Sequence, residues 1–271
     1  MDWADLAHAA VGFLAGGVFI AACSVVAEHF GPKVGGVVSG LPSTVAIALL
    51  VEALTASPSE AVHVASRVPD GLALNCLLLG TFARIASQGA VVAFAAAVGV
   101  WLVAALLLIS HGHFSFGMGI GFLACALVAG WGIAGNVQGA GSTARPKMNA
   151  AALAYRVGAG GTVVATSILV AQMGGALAGG LAASFPAASV TTLAIVSRSM
   201  GAAFAGRMAR PMMLSGALSI LAFVAVVRLT FVSWGPWVGS LLGFAAAATV
   251  AWALITFGPF TTRPNSRHHR T

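Results

Sequence analysis

The chain has 271 residues, of which 59% are hydrophobic and 7% charged, with a formal net charge of +7. Ordinary soluble domains carry roughly 25% charged residues, so this composition excludes a water-soluble enzyme or binding domain and makes the lipid bilayer the main solvent. The basic residues stand singly at the ends of apolar segments rather than on one face. That is the mark of positive-inside topology, not of a nucleic-acid partner.

Apolar stretches of the ~20 residues needed to cross ~30 Å of hydrocarbon recur along the chain. Asp2 and Asp5 stand where a cleavable signal would carry positive charge, so the first stretch is expected to remain as a span. The expected spans are 6–30, 34–56, 71–86, 90–110, 114–134, 150–173, 177–196, 212–231 and 238–257. Together they predict an all-α polytopic membrane protein of about nine transmembrane helices. Between the second and third, residues 60–68 set Ala61, Val62, Val64 and Ala65 against Glu60, His63 and Arg67, which predicts a short interfacial helix. Residues 135–147, rich in Gly, Ser and Asn, predict the main loop, and 264–271 a basic disordered tail. Placing the N-terminus outside leaves only Arg67 and Arg228 in external loops. Lys33, Arg84, Arg145, Lys147, Arg198, Arg207, Arg210, Arg263, Arg267 and Arg270 then fall inside, and this bias predicts an N-out, C-in orientation.

Sliding the chain on itself by 144 residues pairs Gly16-Gly17 with Gly160-Gly161, Gly35-Gly36 with Gly179-Gly180, Pro42 with Pro186, Glu28 with Gln172 and Arg84 with Arg228. The spacing predicts two four-helix repeats, residues 1–110 and 148–260, joined by a linker helix and loop at 111–147, with a tail from 261 to 271. A single odd helix between the units reverses the second one in the bilayer. That gives an inverted repeat, an architecture common among secondary transporters.

The unit Gly35-Gly36-Val37-Val38-Ser39-Gly40-Leu41-Pro42-Ser43-Thr44-Val45-Ala46-Ile47-Ala48, followed by the polar turn and the span ending on Arg84, resembles the GlpM family of small bacterial inner-membrane proteins. The resemblance implies a bacterial inner-membrane location and a four-span unit, and it brings no reaction or ligand. A pair of single units joined antiparallel would make what this chain fuses, and a homodimer of the whole chain is a further expectation.

Proline removes a backbone donor and clashes with the preceding helical turn, so both segments are expected to break at Pro42 and Pro186. Two breaks in inverted halves would face each other near the midplane. Gly40, Pro42, Ser43, Thr44, Ser184, Pro186, Ser189 and Thr191 would there offer amides and hydroxyls to a polar or anionic solute; the competing reading is two kinked, close-packed helices. Charges inside spans are costly and point to function. Among them Glu52 is the candidate for proton coupling, and Arg84, Arg156 and Arg228 are candidates to neutralise an anion, against a competing role as interfacial anchors. Glu28 lies near the end of the first span, and Asn75, matched by Ser219, is a candidate interhelical hydrogen-bonding residue.

Cys23, Cys76 and Cys125 lie in apolar segments without C-x-x-C spacing, and His111 and His113 have no carboxylate or thiolate beside them, so no metal site or cofactor is expected. With no nucleophile constellation or phosphate loop, the expected function is a permease with alternating access to a small solute or ion rather than an enzyme. The alternatives are a membrane scaffold or accessory subunit of an envelope pathway, and a channel.

Overall fold

A computed structural model of the chain describes residues 3–55, 57–111, 115–135, 150–173 and 186–259, and all regular structure among them is helical. The α-helices among the described residues are α1 (Trp3–Ser39), α2 (Ser43–Thr55), α3 (Pro58–Ala65), α4 (Val68–Ile85), α5 (Ala90–His111), α6 (Phe116–Ala134), α7 (Ala150–Met173), α8 (Ala187–Met200), α9 (Ala202–Trp234) and α10 (Pro236–Phe257). Among the described residues six segments are long and apolar enough to cross a membrane: Gly16–Leu54, Pro58–Gln88, Ala90–Ser110, Phe116–Ala134, Ala202–Trp234 and Pro236–Phe257. The chain is therefore an all-helical membrane protein.

The first of these segments holds 39 residues, or ~58 Å of straight helix at 1.5 Å per residue, about twice one crossing. It doubles back instead. Gly31 takes φ 85°, ψ 174°, a conformation open to glycine, and residues 32–39 fold against residues 20–30. Gly35 lies so close to Ala27 that a Cβ there would collide with it. The expected spans at 6–30 and 34–56 are thus joined by a tight turn at Gly31, within the stretch labelled α1.

Contacts between neighbours give each helix a direction. Asp70 on α4 lies against Gly119 on α6, Gly80 and Cys76 against Gly130, and Arg84 against Gly135, so α4 and α6 run parallel. On α9, Arg210 stacks on Trp131 and Met213 touches Gly130, while Arg228 stacks on Phe116 at the far end of α6. Helix α9 is therefore antiparallel to both. The limb 32–39 and α2 follow α9 in its own direction, from Gly36 beside Met208, through Gly40 beside Ser215 and Gly216, to a cluster of Ala46, Leu49 and Ala53 with Phe223, Val224 and Val227.

Helices α1 and α7 cross antiparallel on glycine. A Cβ on Gly17 would strike the Val157 carbonyl oxygen, one on Gly161 would lie 2.6 Å from the Phe13 carbonyl oxygen, and one on Gly160 would lie 3.0 Å from Ile20. Lipid tails are as apolar as leucine, so helices in a bilayer associate through such close backbone approach rather than by hydrophobic drive. The larger core gathers Leu78, Leu79 and Phe82 of α4, Leu193 and Val196 of α8, and Met208, Met212 and Met213 of α9.

Several boundaries differ from the sequence expectation. The short helix expected at 60–68 is present as α3 at Pro58–Ala65, capped by Ser57, which accepts from the Glu60 amide at 3.1 Å. The third span begins at Val68 because Pro69 fits the first helical turn, where its missing N–H costs nothing. Residues 202–210, which lay outside the expected spans, are continuous with the eighth in one 33-residue helix that runs through Pro211. The predicted loop and tail, His113, and the opening of the span expected at 177–196 lie outside the described residues.

Candidate functional site: a broken helix beside a buried ion pair

Between Ser39 and Ser43 the chain leaves helical geometry, as the placement of Pro42 requires. Gly40 still donates to Gly36 and Val37, Leu41 donates to Val38, and Ser43 donates to Leu41 at 2.8 Å. A break inside a bilayer is tolerated when its freed peptide groups are buried in protein or line a wet cavity. Here Ser215 of α9, fully buried, donates its hydroxyl to the Val37 carbonyl at 2.7 Å. Gly40 permits that approach, because a Cβ on it would meet the Gly216 amide nitrogen at 2.5 Å. Arg210 and Arg228 stand 18 positions apart on α9, ~27 Å of helix, and Ser215 and Ser219 fall between them.

Pro42 is buried in the bend, and Ser43 and Thr44, half-buried, begin α2. In the second half Pro186 (φ −80°, ψ 60°) stands at the head of α8, with Ser189 and Thr191 buried along it. Among the described residues the Thr191 Oγ1 has no hydrogen-bond partner, and neither has the Oδ1 of Asn75 on α4. Ser184 lies outside the described residues. Helices α2 and α8 share no extensive interface among the described residues: α2 rests on α3, α9 and α10, and α8 on α1, α7, α9 and the edge of α5.

The strongest polar feature lies one helix away. Arg156 of α7 bonds Glu28 Oε1 at 2.7 Å through Nη2 and Ser24 Oγ at 2.9 Å through Nη1, and Ser24 passes its own proton to the Ala21 carbonyl at 2.8 Å. The Arg156 and Glu28 side chains retain only 6% and 2% of their exposure. The second Glu28 oxygen, Oε2, is buried and has no partner among the described residues. Ser24 adjoins Cys23, whose thiol hydrogen-bonds Ser39 at the lip of the break. The ion pair and the break are therefore neighbours across the α1 hairpin.

The four charges singled out in the sequence do not converge. Arg156 enters the buried pair, whereas Glu52 is half-buried near the end of α2. Arg228 packs its guanidinium 3.7 Å from the centroid of Phe116, where α6 begins. Arg84 lies by Gly135, where α6 ends. The sequence reading missed Ser24 and Ser215. Their signal was spacing: Ser24 stands one turn before Glu28, and Ser215 one turn before Ser219, so each pair shares a helix face.

Residues 9–114, less than half of the chain, match a family described as "Protein of unknown function (DUF3147)". The matched stretch runs through α1–α5 and ends before α6. No curated protein and no solved structure matches the chain.

Proposed function

We propose that this chain is a multi-pass permease of a bacterial inner membrane, with its N-terminus outside and its C-terminus in the cytoplasm, that moves a small polar or anionic solute by alternating access. The observation that carries the reading is the interrupted helix at Gly40–Pro42, packed against the buried Ser215. With Arg210 and Arg228 read as the two membrane edges of α9, the break falls at bilayer depth, and unwound backbone there is how secondary transporters build central sites.

An inverted duplication underlies the proposal, and several observations support it. Ser43 and Ala187, the first residues of α2 and α8, are separated by the offset of 144 residues seen in the sequence. The α1–α7 crossing is reciprocal at that offset: Gly17 meets Val157 while Gly161 meets Phe13. Both equivalent pairs, α1 with α7 and α4 with α9, run antiparallel. Helix α2 rests on α10, and its counterpart α8 touches α5, the counterpart of α10. The family match covers the first unit alone. Nine crossings follow when the α1 hairpin and the paired helices 32–39 and α2 are counted as separate passes, with α7 and α8 added.

Charge supports the orientation. Arg84 and Arg210 meet the C-terminal end of α6, Arg207 lies one turn from Arg210, and Lys33 opens the limb beside Met208. Arg67 and Arg228 lie at the other end. The more basic end is assigned to the cytoplasm.

The test uses a variant lacking Cys23, Cys76 and Cys125, with single cysteines placed at Ser43, Thr44, Ser189 and Thr191 and exposed to a membrane-impermeant maleimide from each face of sealed vesicles. Labelling from either face without ion conductance is expected. Silence from both faces would replace the permease with a packed scaffold, and labelling with conductance would replace it with a channel.

A further inference from the structure

All six acidic residues of the chain lie at or before position 70. Helices α7, α8, α9 and α10, each packed against α1, contain no carboxylate, so Glu28 answers a strongly basic neighbourhood. On α1 itself His29 is exposed and its Nδ1 sits 3.3 Å from the Val25 carbonyl, and Lys33 is half-buried beyond the Gly31 hinge. Helix α7 brings Arg156 and Tyr155, and α8 brings Arg198, stacked on Tyr155 at 5.7 Å. Helix α9 brings Arg207 and Arg210, stacked on Phe204 and Trp131. Helix α2 contributes Glu52.

From this arrangement we infer that Arg156 and Glu28 form an exchangeable ion pair, at which a small monovalent carboxylate anion binds together with one proton. The inference deepens the permease reading by naming the class of substrate and the coupling ion. It rests on charge balance. The buried pair is neutral as it stands, and a net charge in a low-dielectric interior is strongly disfavoured. An anion entering alone would leave the site at −1, and a proton entering alone would leave it at +1. Entering together they keep it neutral.

The pair keeps hydrogen-bonding capacity for each. A guanidinium has five N–H donors, and two of those on Arg156 are engaged by Glu28 and Ser24. The remainder suit a planar carboxylate, which guanidinium binds in a fork. Glu28 Oε2, buried and unpartnered, takes the proton without disturbing the Oε1 contact, and as an O–H it can donate to the arriving anion. No covalent bond to the solute forms or breaks. The proton comes from water and stays on Oε2 while the anion is bound. When the anion leaves, Glu28 ionises and pairs again with Arg156.

The probes are formate and acetate, titrated calorimetrically into the purified full-length protein in detergent, in two buffers of different ionisation enthalpy. One proton taken up per anion is expected, with affinity rising about tenfold for each unit of pH lost wherever Glu28 starts ionised. Glu28→Gln should bind formate without proton uptake and without pH dependence, and Arg156→Gln should not bind it. Because either single change can disturb folding, Glu28→Gln with Arg156→Gln serves as the charge-neutral control, expected to be monodisperse and unable to bind. Binding without proton uptake, binding that survives Arg156→Gln, or no binding of either anion to folded wild-type protein overturns the inference. Maleimide access at α2 and α8 does not depend on this pair. Labelling from both faces with no proton-linked binding would leave a permease for another solute, and the reverse would leave an anion site without transport.

Discussion

Replacing Gly17 or Gly161 with alanine tests the α1–α7 crossing. A Cβ at either position would collide with a carbonyl oxygen of the facing helix: Val157 for Gly17, and Phe13, at 2.6 Å, for Gly161. Backbone cannot swing aside as a flexible side chain can, so the two helices must separate. Overpacking of this kind costs about 1–3 kcal/mol. Alanine also favours helix over glycine by up to about 1 kcal/mol, so the reference is Gly158→Ala on the same helix, where a Cβ meets nothing within 4 Å. Relative to that variant, Gly17→Ala and Gly161→Ala should each lose the full packing cost. At about 2–4 °C per kcal/mol for a chain of this size, the thermal midpoint in mild detergent should fall by a few to about ten degrees. Once the helices have parted the second substitution has less left to disturb, so the double variant should lose less than the sum. Fluorescence-detected size-exclusion after heating reads all four variants. If Gly161→Ala proves as stable as Gly158→Ala, or if the two changes add fully, the reciprocal crossing is wrong.

Ser215→Ala removes a hydroxyl from the Val37 carbonyl, which still accepts from the Gly40 amide, and should cost about 0.5–1.5 kcal/mol in the same thermal assay. Glu28→Ala or Arg156→Ala alone strands a buried charge and should cost about 3–5 kcal/mol, most of it regained when Glu28→Gln and Arg156→Gln are combined. Arg228→Ala forfeits the stack on Phe116 and should cost about 1–2 kcal/mol. Phe116→Leu should give a similar loss, and adding it to Arg228→Ala should cost little more.

Membrane residence and helical class were legible because the bilayer imposes length and polarity on every span, and Ala90–Ser110 or Phe116–Ala134 could be bounded from composition alone. The break at Pro42 was legible for the same physical reason, since proline cannot continue a helix. The turn between the first two spans was legible as the gap at 31–33, although nothing in the sequence showed that one positive φ at Gly31 would suffice to make it. The start of the eighth span was not: it was expected at 212, yet α9 begins at Ala202 and passes through Pro211, packed on α4, α8 and the limb 32–39. The Glu28–Arg156 pair joins residues 128 positions apart, and no local pattern reports such a contact. Glu28 had looked like an interfacial charge, and Glu52 the better candidate, because depth along a helix says nothing of which side faces a neighbour.

The absence of acids beyond position 70 makes the ion pair a constraint on how the two parts of the chain meet. Arg156 lies after α6 and must find its carboxylate before it, so its neutralisation needs α1 beside α7. Glycine at Gly17 and Gly161 fixes how near those helices come. It fixes their register poorly, because stretches rich in Gly and Ala slide past one another at little cost when lipid is an equally good solvent for their surfaces. A buried charge pair has the opposite character. It adds little net stability, but displacement by one turn would leave two unpaired charges in hydrocarbon. The crossing sets the distance and the pair sets the register. An anion that competes for Arg156 acts on the contact that sets the register of α1 against α7, which is where a solute must act if its binding is to move one part of the chain against the other.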